Sequence, residues 1–197
     1  MAILNRTRTS ETDPLLIAQV TAGAGLVGLT ICPGKRGDSI LGAAWERDLD
    51  ADVRAIREWG AAAVVTLIED HEFEMLGVER LSAAVRDAGM QWHHLPIPDL
   101  QVPDARFEAG WASAGVRLGN QLRDGERVLV HCRGGLGRTG MVAARLLVEF
   151  AGATPRQALD RVREARHGAV ETPEQEAWVL ELKAPSPARD RRGNEGA

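Results

Sequence analysis

Short apolar runs and helically spaced apolar residues alternate through the middle of the chain. The runs within 62–68 and 126–131 contain β-branched residues and are typical of strands buried on both faces. The segments 15–20 and 26–31 flank a Gly-Ala-Gly turn and predict a β-hairpin, and 90–97 predicts a further strand. Together these runs predict a sheet whose central strands are covered on both sides.

Six segments between and after these strands space their apolar residues as an α-helix does, and Gly60 and Gly89 stand as stop signals behind two of them. The helices are predicted over 49–59, 74–88, 104–122, 138–150, 155–166 and 173–182. Thr154 and Thr172 each precede a proline at a helix start, which is the expected N-cap arrangement. The order of elements predicts an α/β fold, a single domain with a mainly parallel twisted sheet flanked by helices on both faces.

The two ends of the chain differ from this core in composition. Residues 1–13 are polar, and 184–197 combine proline, glycine and charged side chains with almost no apolar ones. Such segments bury too little apolar surface to offset the entropy lost on ordering. We therefore predict a loose N-terminal segment over 1–13, one folded domain over 14–183 and a disordered tail over 184–197.

Composition and charge exclude several classes of protein. The chain has 197 residues, of which 44% are apolar and 26% charged, and its formal net charge is −4. This balance is typical of a globular domain and provides no general attraction to nucleic acid or to an anionic membrane. No apolar run approaches the ~20 residues of a membrane span, and no secretory signal is visible. Two cysteines exclude a scaffold of several disulfides, so we expect a cytoplasmic protein in a reducing compartment.

The segment that carries chemistry is HCRGGLGRTG over 131–140, which joins a buried strand to an apolar helix. Its glycines allow the backbone to turn sharply and to aim successive N–H groups at one point. The helix that begins near Arg138 adds free N–H groups and the positive end of its dipole. The loop over 132–138, called the signature loop below, is therefore predicted to bind a phosphate dianion.

Two side chains of the signature loop supply reactive groups. Arg138 can close on the phosphate with a planar, two-pronged guanidinium. Cys132 lies at the base of the loop, where the field that attracts phosphate also favours the thiolate, a nucleophile directed at phosphorus. The alternative for Cys132 is a small buried hydrophobe, but a chance occurrence of His-Cys-x-x-Gly-x-x-Arg-Thr between a strand and a helix is rare.

The sequence HCRGGLGRTG resembles the signature of the cysteine-dependent protein tyrosine/dual-specificity phosphatases. Over residues 25–183 the chain is similar to the cyclin-dependent kinase-associated dual-specificity phosphatases, on the segments GLTICPGK (28–35), HHLPIPD (93–99) and GGLGR (134–138). The resemblance implies a phosphatase domain over 14–183 with a phosphate-binding loop between a central strand and a helix. It also implies metal-independent, cofactor-free hydrolysis of phosphotyrosine, and of phosphoserine or phosphothreonine as well, on proteins through a cysteinyl-phosphate.

The resemblance also assigns roles to residues around the loop. Cys132 is the nucleophile, and Asp99 in Leu-Pro-Ile-Pro-Asp protonates the leaving oxygen and then activates water. Asp104 competes for that role, although it stands where an aspartate caps the following helix. His131 would order the loop and favour the thiolate, and Thr139 would bond Cys132, cap the helix start, or do both. Phosphate would be bound by Arg133, Gly134, Gly135, Leu136, Gly137 and Arg138.

One position departs from the family pattern. The segment HGAVETPEQ over 167–175 resembles the loop in which two glutamines place the hydrolytic water; Gln175 fits the second, and Glu171 replaces the first. A carboxylate beside a phosphoryl dianion is repelled unless it is protonated or turned away. Glu171 could point at the water as a second acceptor, or it could point to solvent or pair with an arginine such as Arg166, so that Gln175 places the water alone. We favour the second outcome.

Several alternatives stay open at this point. The substrate could be a phosphoinositide or another small phosphoester, although Arg133 is the only variable basic residue of the signature loop, and the chain could also bind phosphate without turnover. The acidic segment 69–72 should border the mouth of the site, where it either discriminates between substrates by charge or is a solvated loop. Cys32 either packs at a strand end or, as the resemblance implies, traps an oxidised Cys132 as a disulfide. The expected partner is a phosphoprotein substrate, with no nucleic acid, membrane or metal.

Overall fold

A five-stranded sheet forms the centre of the computed structural model, which describes residues 7–39 and 42–184. The strands are β1 (Ala18–Ala22), β2 (Gly25–Thr30), β3 (Arg36–Ser39), β4 (Gly42–Glu46), β5 (Ala61–Thr66), β6 (Gln91–His94) and β7 (Arg127–His131). The central sheet has the order β1-β2-β7-β5-β6, and β3 pairs with β4 in a separate hairpin. β1 runs antiparallel to β2, whereas the other neighbouring pairs of the central sheet are parallel. The predicted mainly parallel sheet is confirmed.

Helices cover both faces of this sheet. They are α1 (Leu49–Trp59), α2 (Asp70–Leu76), α3 (Leu81–Asp87), α4 (Ala105–Arg123), α5 (Gly137–Phe150), α6 (Pro155–Ala165) and α7 (Pro173–Leu180). The first three pack on one face with Val64 and Leu129, and the last four pack on the other face with Val65 and Val130. Successive residues of β5 and β7 therefore enter opposite layers of the core, as the pleat of a strand requires. The α/β fold class is confirmed.

Three helix starts follow the predicted side-chain signals. Asp104 caps α4 by accepting a hydrogen bond from the amide of the third helical residue at 2.9 Å. Thr154 and Thr172 form capping boxes at α6 and α7. The single helix predicted over 74–88 is instead α2 followed by α3, because Gly77 adopts φ +65° and ends α2.

The β3–β4 hairpin, which the sequence does not predict, is held by cationic and aromatic side chains. The Arg8 guanidinium lies 3.8 Å from the centroid of the Trp45 ring, and the Lys35 ammonium lies 4.9 Å from it. Arg47, which is 1% exposed, forms two hydrogen bonds of 2.7 Å with the carboxylate of Asp52. This buried ion pair fastens the base of the hairpin to α1.

Residues 7–13, part of the segment predicted to be loose, lie against this hairpin. Arg8 N donates to Ala44 O and Glu46 N donates to Arg8 O, each at 2.9 Å. Backbone pairing with β4 thus orders these residues despite their polar composition. Residues 1–6 and 185–197, which include most of the predicted tail, lie outside the described residues.

The carboxyl ends of β2, β5, β6 and β7 meet at one edge of the central sheet. The segments that leave these ends are 31–35, 67–69, 95–104 and 132–136. Ligands of open parallel sheets bind at such an edge, so the topology brings the signature loop together with the segment that contains Asp99. Within 7–39 and 42–184, no helix is long and apolar enough to cross a membrane.

Candidate active site

The carbonyl groups of the signature loop are bound from outside the loop. Arg133 O accepts from Lys35 Nζ at 3.3 Å. Arg166 donates to two carbonyls, from Nη2 to Gly134 O at 3.3 Å and from Nε to Gly135 O at 2.5 Å. Leu136 O accepts from Val170 N at 3.4 Å. The C=O and N–H groups of a trans peptide unit point in opposite directions. Because these carbonyls are directed outwards, the amide N–H groups of residues 134–137 face the interior of the loop.

Cys132 lies at the base of this ring of amides. Its sulfur accepts a hydrogen bond from Gly135 N at 3.2 Å, and the residue is 3% exposed. Gly135 has φ +69°, and a Cβ atom at this position would lie 2.3 Å from the carbonyl oxygen of Thr30. Only glycine fits there, so this glycine allows the loop to close over the cysteine.

Arg138 is 1% exposed and is held by carboxylates on two sides. Glu72 accepts from Nη1 and Nη2 at 2.6 and 3.0 Å, and Asp99 Oδ1 lies 2.8 Å from Nη2. Burial works to lower the pKa of Arg138, but the hydrogen bonds and charge of Glu72 and the charge of Asp99 outweigh it and raise that pKa above its ordinary value. These two carboxylates therefore favour the charged form of the guanidinium.

Glu72 is a functional residue that the sequence leaves among the open alternatives. It is 2% exposed and, besides Arg138, accepts a hydrogen bond from Glu69 N at 2.8 Å at the start of α2. Burial works to raise the pKa of Glu72, but the hydrogen bonds from Arg138 and from Glu69 N hold it below its usual range. The segment thus lies at the site, as expected, but Glu72 is buried against Arg138 and is neither a solvated carboxylate nor one that faces a substrate. Its only sequence signal is the capping-box spacing of Glu69 and Glu72 behind a strand.

Asp99 and Asp104, the two candidates for the general acid, lie in different surroundings. Asp99 is 48% exposed, contacts Arg138, and has Arg133 Nη1 3.9 Å from its second oxygen. Asp104 is engaged as the cap of α4. Leu100, which follows Asp99, has a left-handed φ of +60°, a strained conformation for leucine. Of the two carboxylates, the structure thus brings Asp99 to the signature loop.

A chain of hydrogen bonds runs from Trp92 through Thr66 and His131 to the backbone of Cys132. Trp92 Nε1 donates to Thr66 Oγ1 at 2.9 Å, and Thr66 Oγ1 lies 2.8 Å from His131 Nε2. The carbonyl oxygen of Cys132 can only accept, so Nδ1, which lies 3.4 Å from it, carries the proton of His131, and Nε2 accepts from the Thr66 hydroxyl. Burial lowers the pKa of His131 to about 4. The neutral ring can order the loop but cannot favour the thiolate through its charge.

Thr139 makes neither of the contacts expected of it. Its hydroxyl is buried and has no hydrogen-bond partner among the described residues. Helix α5 begins at Gly137 with Leu136 as its N-cap residue, so Thr139 belongs to the first turn and does not cap the helix. The hydroxyl is therefore an unused donor in the turn that follows the signature loop.

Gln175 is fully buried and joins two other segments of the site. Its Oε1 accepts from Glu171 N at 2.9 Å, and its Nε2 donates to Gln101 O at 3.3 Å. A Cβ atom at Gly137 would lie 2.7 Å from Gln175 Oε1, so the amide rests directly on the start of α5. The group that the sequence assigns to the hydrolytic water is bound to backbone atoms in this conformation.

Glu171 points at the signature loop. Its Oε2 accepts a hydrogen bond from Gly137 N at 2.7 Å. Arg166, the partner considered for it, instead binds the carbonyls of Gly134 and Gly135. Glu171 is an exposed residue, but its carboxylate turns to the loop and does not pair with Arg166, so the favoured outcome is wrong on both of these points. The physical reason is that the first amide of α5 has no helical acceptor, and its positive field attracts a carboxylate.

A cleft of about 490 Å³ opens above the signature loop. Its lining includes Lys35, Arg36, Asp38 and Trp45 from the hairpin region and Met75, Leu100 and Leu136 from the other elements. Met75 and Leu100 are 49% and 54% exposed. The cleft thus combines cationic and aromatic groups with large exposed apolar side chains, and its hairpin wall is missing from the sequence prediction.

Cys32 packs behind the signature loop. It is fully buried, its sulfur donates to Pro33 O at 3.7 Å, and its amide donates to Arg133 O at 3.4 Å. Burial raises the pKa of Cys32, and both Cys32 and Cys132 are free thiols. In the parts of the chain that the structure describes, no three His, Cys, Asp or Glu side chains are grouped so that they could hold a metal ion.

Known phosphatases share the sequence pattern of this chain. A family model described as "PTP-SAK: Swiss Army Knife protein, DSP-PTPase phosphatase domain" matches residues 41–179. Cyclin-dependent kinase inhibitor 3 of Rattus norvegicus is 30% identical over 159 residues, which are 80% of this chain and 71% of the rat protein. The Sus scrofa protein of the same name has the same identity and coverage.

Solved phosphatase structures share the fold. The kinase associated phosphatase (KAP), with a serine in place of its catalytic-site cysteine, matches with a TM-score of 0.74 and 26% identity, over 85% of this chain and 93% of that one. Tk-PTP in its active form matches with a TM-score of 0.61 and 29% identity, over 80% and 90% of the two chains. The chain belongs to the DSP-PTPase family. It is a phosphatase of the protein tyrosine/dual-specificity type and is similar to the cyclin-dependent kinase-associated members.

Proposed function

We propose that this phosphatase hydrolyses phosphate monoesters on proteins through a cysteinyl-phosphate, with phosphotyrosine as its main substrate and phosphoserine and phosphothreonine as further ones. The observation that carries the proposal is the position of the Cys132 sulfur, which accepts a hydrogen bond from Gly135 N within a ring of inward-facing amides. Arg138 lies beside that ring with its charge secured by Glu72. A dianion is bound by this combination of amides and a planar guanidinium.

The guanidinium of Arg138 has a free donor for the phosphate. Its Nε is buried and has no hydrogen-bond partner among the described residues, while Glu72 binds the two terminal nitrogens. A buried N–H without a partner costs roughly 1–3 kcal/mol. An oxygen of the bound phosphate would satisfy Nε and would take the place of Asp99 at Nη2. Substrate binding would thus release Asp99 for its role as the acid.

The first chemical step transfers the phosphoryl group to Cys132. The thiolate attacks phosphorus, the S–P bond forms, and the P–O bond to the leaving group breaks while the protonated carboxyl of Asp99 gives its proton to the leaving oxygen. A dianion bound against Arg138 brings negative charge close to Asp99 and favours the protonated carboxyl. Asp99 is half exposed at the cleft, which suits a group that meets the leaving group of a protein substrate.

The second step hydrolyses the cysteinyl-phosphate. The Asp99 carboxylate takes a proton from water as the water oxygen attacks phosphorus; the S–P bond breaks, and phosphate and the thiolate of Cys132 are released. The unpaired hydroxyl of Thr139 is a donor suited to the leaving sulfur, and Gln175 is the candidate for placing the water. Cys132 supplies the attacking electron pair of the first step, and Asp99 donates and accepts the proton. The two steps are therefore complete without a metal ion.

The cleft supports a protein-linked phosphate as the substrate. Met75 and Leu100 expose apolar surface at its rim, which suits an aryl ring, while Lys35 and Arg36 on the hairpin side suit acidic residues of a peptide. The relative named kinase associated phosphatase points in the same direction by its name. The proposed partner is accordingly a phosphorylated protein, such as a protein kinase.

A phosphoinositide or other small phosphoester is the second candidate substrate. Lys35, Arg36 and Arg133 bring three cationic side chains to the lining of one cleft, and a second phosphate group would be attracted to them. A phosphopeptide and a phosphoinositide would contact different residues of the cleft. A comparison of turnover on the two substrates therefore separates the candidates.

The test is a comparison of wild type and Cys132→Ser in a metal-free buffer that contains EDTA. The substrates are p-nitrophenyl phosphate, a phosphotyrosyl peptide, a phosphothreonyl peptide and a phosphoinositide, and thermal melts check that both proteins are folded. We expect turnover by wild type that is highest on the phosphotyrosyl peptide, blocked by vanadate, and absent in Cys132→Ser. Preference for the phosphoinositide would favour the second candidate, and no turnover of any of the four would leave only a phosphate-binding role.

We also propose a cytoplasmic location. The mechanism requires the free thiol of Cys132, and both cysteines are free in the structure. Thiols persist in the reducing cytosol and nucleus, whereas disulfides form in oxidising compartments such as the endoplasmic reticulum, the periplasm and the extracellular space. Fractionation of cells that produce the protein would test this.

A further inference from the structure

The turn between α6 and α7 is built so that Glu171 faces the signature loop. Val170, the residue before it, is 3% exposed and has φ +63°, an outlier for a β-branched residue. Strain of this kind persists where surrounding contacts impose it. Here Arg163 donates to the carbonyls of Ala169 and Val170 at 3.1 and 3.2 Å, and Val170 N donates to Leu136 O. These contacts hold the backbone from which the Glu171 side chain reaches Gly137 N.

The cations near this turn are engaged elsewhere. Arg166 binds the carbonyls of the signature loop, and Arg163 pairs with Glu176 at 2.7 Å. Among the described residues, no ion pair with Glu171 is found, and its carboxylate is bonded to Gly137 N at 2.7 Å. The carboxylate therefore stands next to the phosphate-binding amides with its charge uncompensated by an arginine or a lysine.

The amide of Gly137 is one of those that face the interior of the signature loop. An N–H group at the first position of a helix binds one acceptor well, and that acceptor is preferably an anion. Glu171 Oε2 already lies at hydrogen-bond distance from this nitrogen. A phosphate oxygen cannot occupy the same place, and a dianion that binds the remaining amides is repelled by the carboxylate at short range.

We propose that Glu171 is an internal anion that competes with phosphate for the amide of Gly137 and so lowers the affinity of the site for free phosphate. This inference rests on the proposed function, since it takes the signature loop as the phosphate site. Substrates that also bind the walls of the cleft, through residues such as Trp45 and Leu100, offset the repulsion with further contacts. Inorganic phosphate has no such contacts and is released. Glu171 therefore selects large phosphorylated substrates over the phosphate product.

The experiment measures the affinity for inorganic phosphate by calorimetry in proteins that carry Cys132→Ser, so that turnover plays no part. Glu171→Gln removes the charge and keeps an oxygen that can accept from Gly137 N, which preserves the turn. We expect the Kd for phosphate to fall tenfold or more, because a like charge is removed next to a bound dianion. Glu171→Ala should shift the Kd in the same direction. The matched control is Glu174→Gln, an exposed carboxylate in the first turn of α7, which should leave the Kd within twofold.

An unchanged or higher Kd in both Glu171 variants would overturn the inference, because a carboxylate that merely supports the loop gives weaker binding when it is removed. Failure of the proposed function gives a different result. If the charge-free variants bind phosphate more tightly but the protein with Cys132 turns over no substrate, Glu171 has the role argued here and the catalytic proposal fails. If none of the variants binds phosphate, both fail. In an active enzyme, Glu171→Gln should also lower the inhibition constant of phosphate by the factor found in calorimetry.

Discussion

The carboxylate of Asp99 lies 2.8 Å from Nη2 of Arg138, so the group assigned to proton transfer rests on the group assigned to phosphate binding. Arg138 is 1% exposed and fixed by Glu72, whereas Asp99 is 48% exposed. In an exchange of partners, Asp99 is therefore the residue that moves. In the proposed mechanism, phosphate binding at Arg138 would release Asp99, so that proton donation would depend on the presence of substrate.

Asp99→Asn should lower kcat by about 10²–10⁴-fold on an alkyl phosphate or a poor aryl leaving group, which is the usual contribution of a general acid. The loss should shrink for a leaving group that departs without a proton. The measurement is kcat for a series of aryl phosphates of increasing leaving-group acidity. Asp104→Asn is the matched control, since asparagine caps a helix as well as aspartate does. A leaving-group dependence that appears in Asp104→Asn and not in Asp99→Asn would reverse the assignment.

Cys132→Ser should lose turnover by about 10⁴-fold or more, because a hydroxyl replaces the thiolate that forms the covalent intermediate. Phosphate binding should persist, since the amides and Arg138 are untouched. Rapid-quench trapping of a phosphorylated protein in wild type, and its absence in the variant, would check the intermediate directly. Substantial turnover by Cys132→Ser would contradict the mechanism.

Arg138→Lys keeps the charge and removes the planar fork that Glu72 grips with two hydrogen bonds. Lysine offers a point charge and cannot contact a carboxylate and a phosphate in the same bidentate way. We expect a severe loss of kcat/KM, about 10²-fold or more, together with weaker binding of phosphate in calorimetry. Activity close to that of wild type would show that Arg138 does not clamp the phosphoryl group.

Glu72→Gln should reduce activity by up to about 10²-fold, because Arg138 is no longer fixed in place. It should also change the response to acid. The folded-state pKa of Glu72 is below its ordinary value of 4.5, so the ionised group stabilises the fold above that pH, and this contribution is lost as the pH falls through the folded-state pKa. Thermal melts from pH 7 to 3 should show this loss in wild type and a smaller one in Glu72→Gln. Glu74→Gln, on the exposed side of α2, is the control that should follow wild type.

His131 should remain neutral from pH 8 down to pH 5.5, because burial lowers its pKa to about 4. ¹⁵N spectra of the ring should show a protonated Nδ1 and a bare Nε2 across that range, with His131→Asn used to assign the signals. Since the unfolded chain binds this proton more readily, the histidine should also reduce stability as the pH falls from about 6.5 towards 4. A ring that titrates near pH 6.5 would contradict the lowered pKa, and a neutral ring with its proton on Nε2 would contradict the assigned tautomer.

The parts of the site that lie on one continuous segment can be predicted from the sequence. The strand, the glycines and the helix around Cys132 and Arg138 carry their own periodicity and turn signals, and the whole loop forms where expected. Asp99 is reached through the resemblance, and Asp104 through its position as a helix cap. In each case a local pattern is enough, because the neighbours in sequence determine the conformation.

Features that depend on distant partners leave little trace in the sequence. Glu72 meets Arg138 only after the sheet brings β5 and β7 together, so its ion pair has no periodic signal. The position of Glu171 depends on the positive φ angle of Val170, and a valine in the sequence does not predict such an angle. The β3–β4 hairpin contains few apolar residues and is held by Trp45 and its cations, so hydrophobic patterning cannot detect it.

The hairpin β3–β4 forms one wall of the cleft and is anchored to α1 by the buried pair of Arg47 and Asp52. The hairpin β3–β4 forms its own two-stranded sheet and shares no strand with the five-stranded one. Its residues can therefore vary without disturbing the registry of the strands that position Cys132, provided that the anchor on α1 remains. Substitutions in the hairpin should therefore change the lining of the cleft and leave the signature loop unchanged. Transplanting the hairpin between relatives would then transfer a preference for substrates without transferring a catalytic residue.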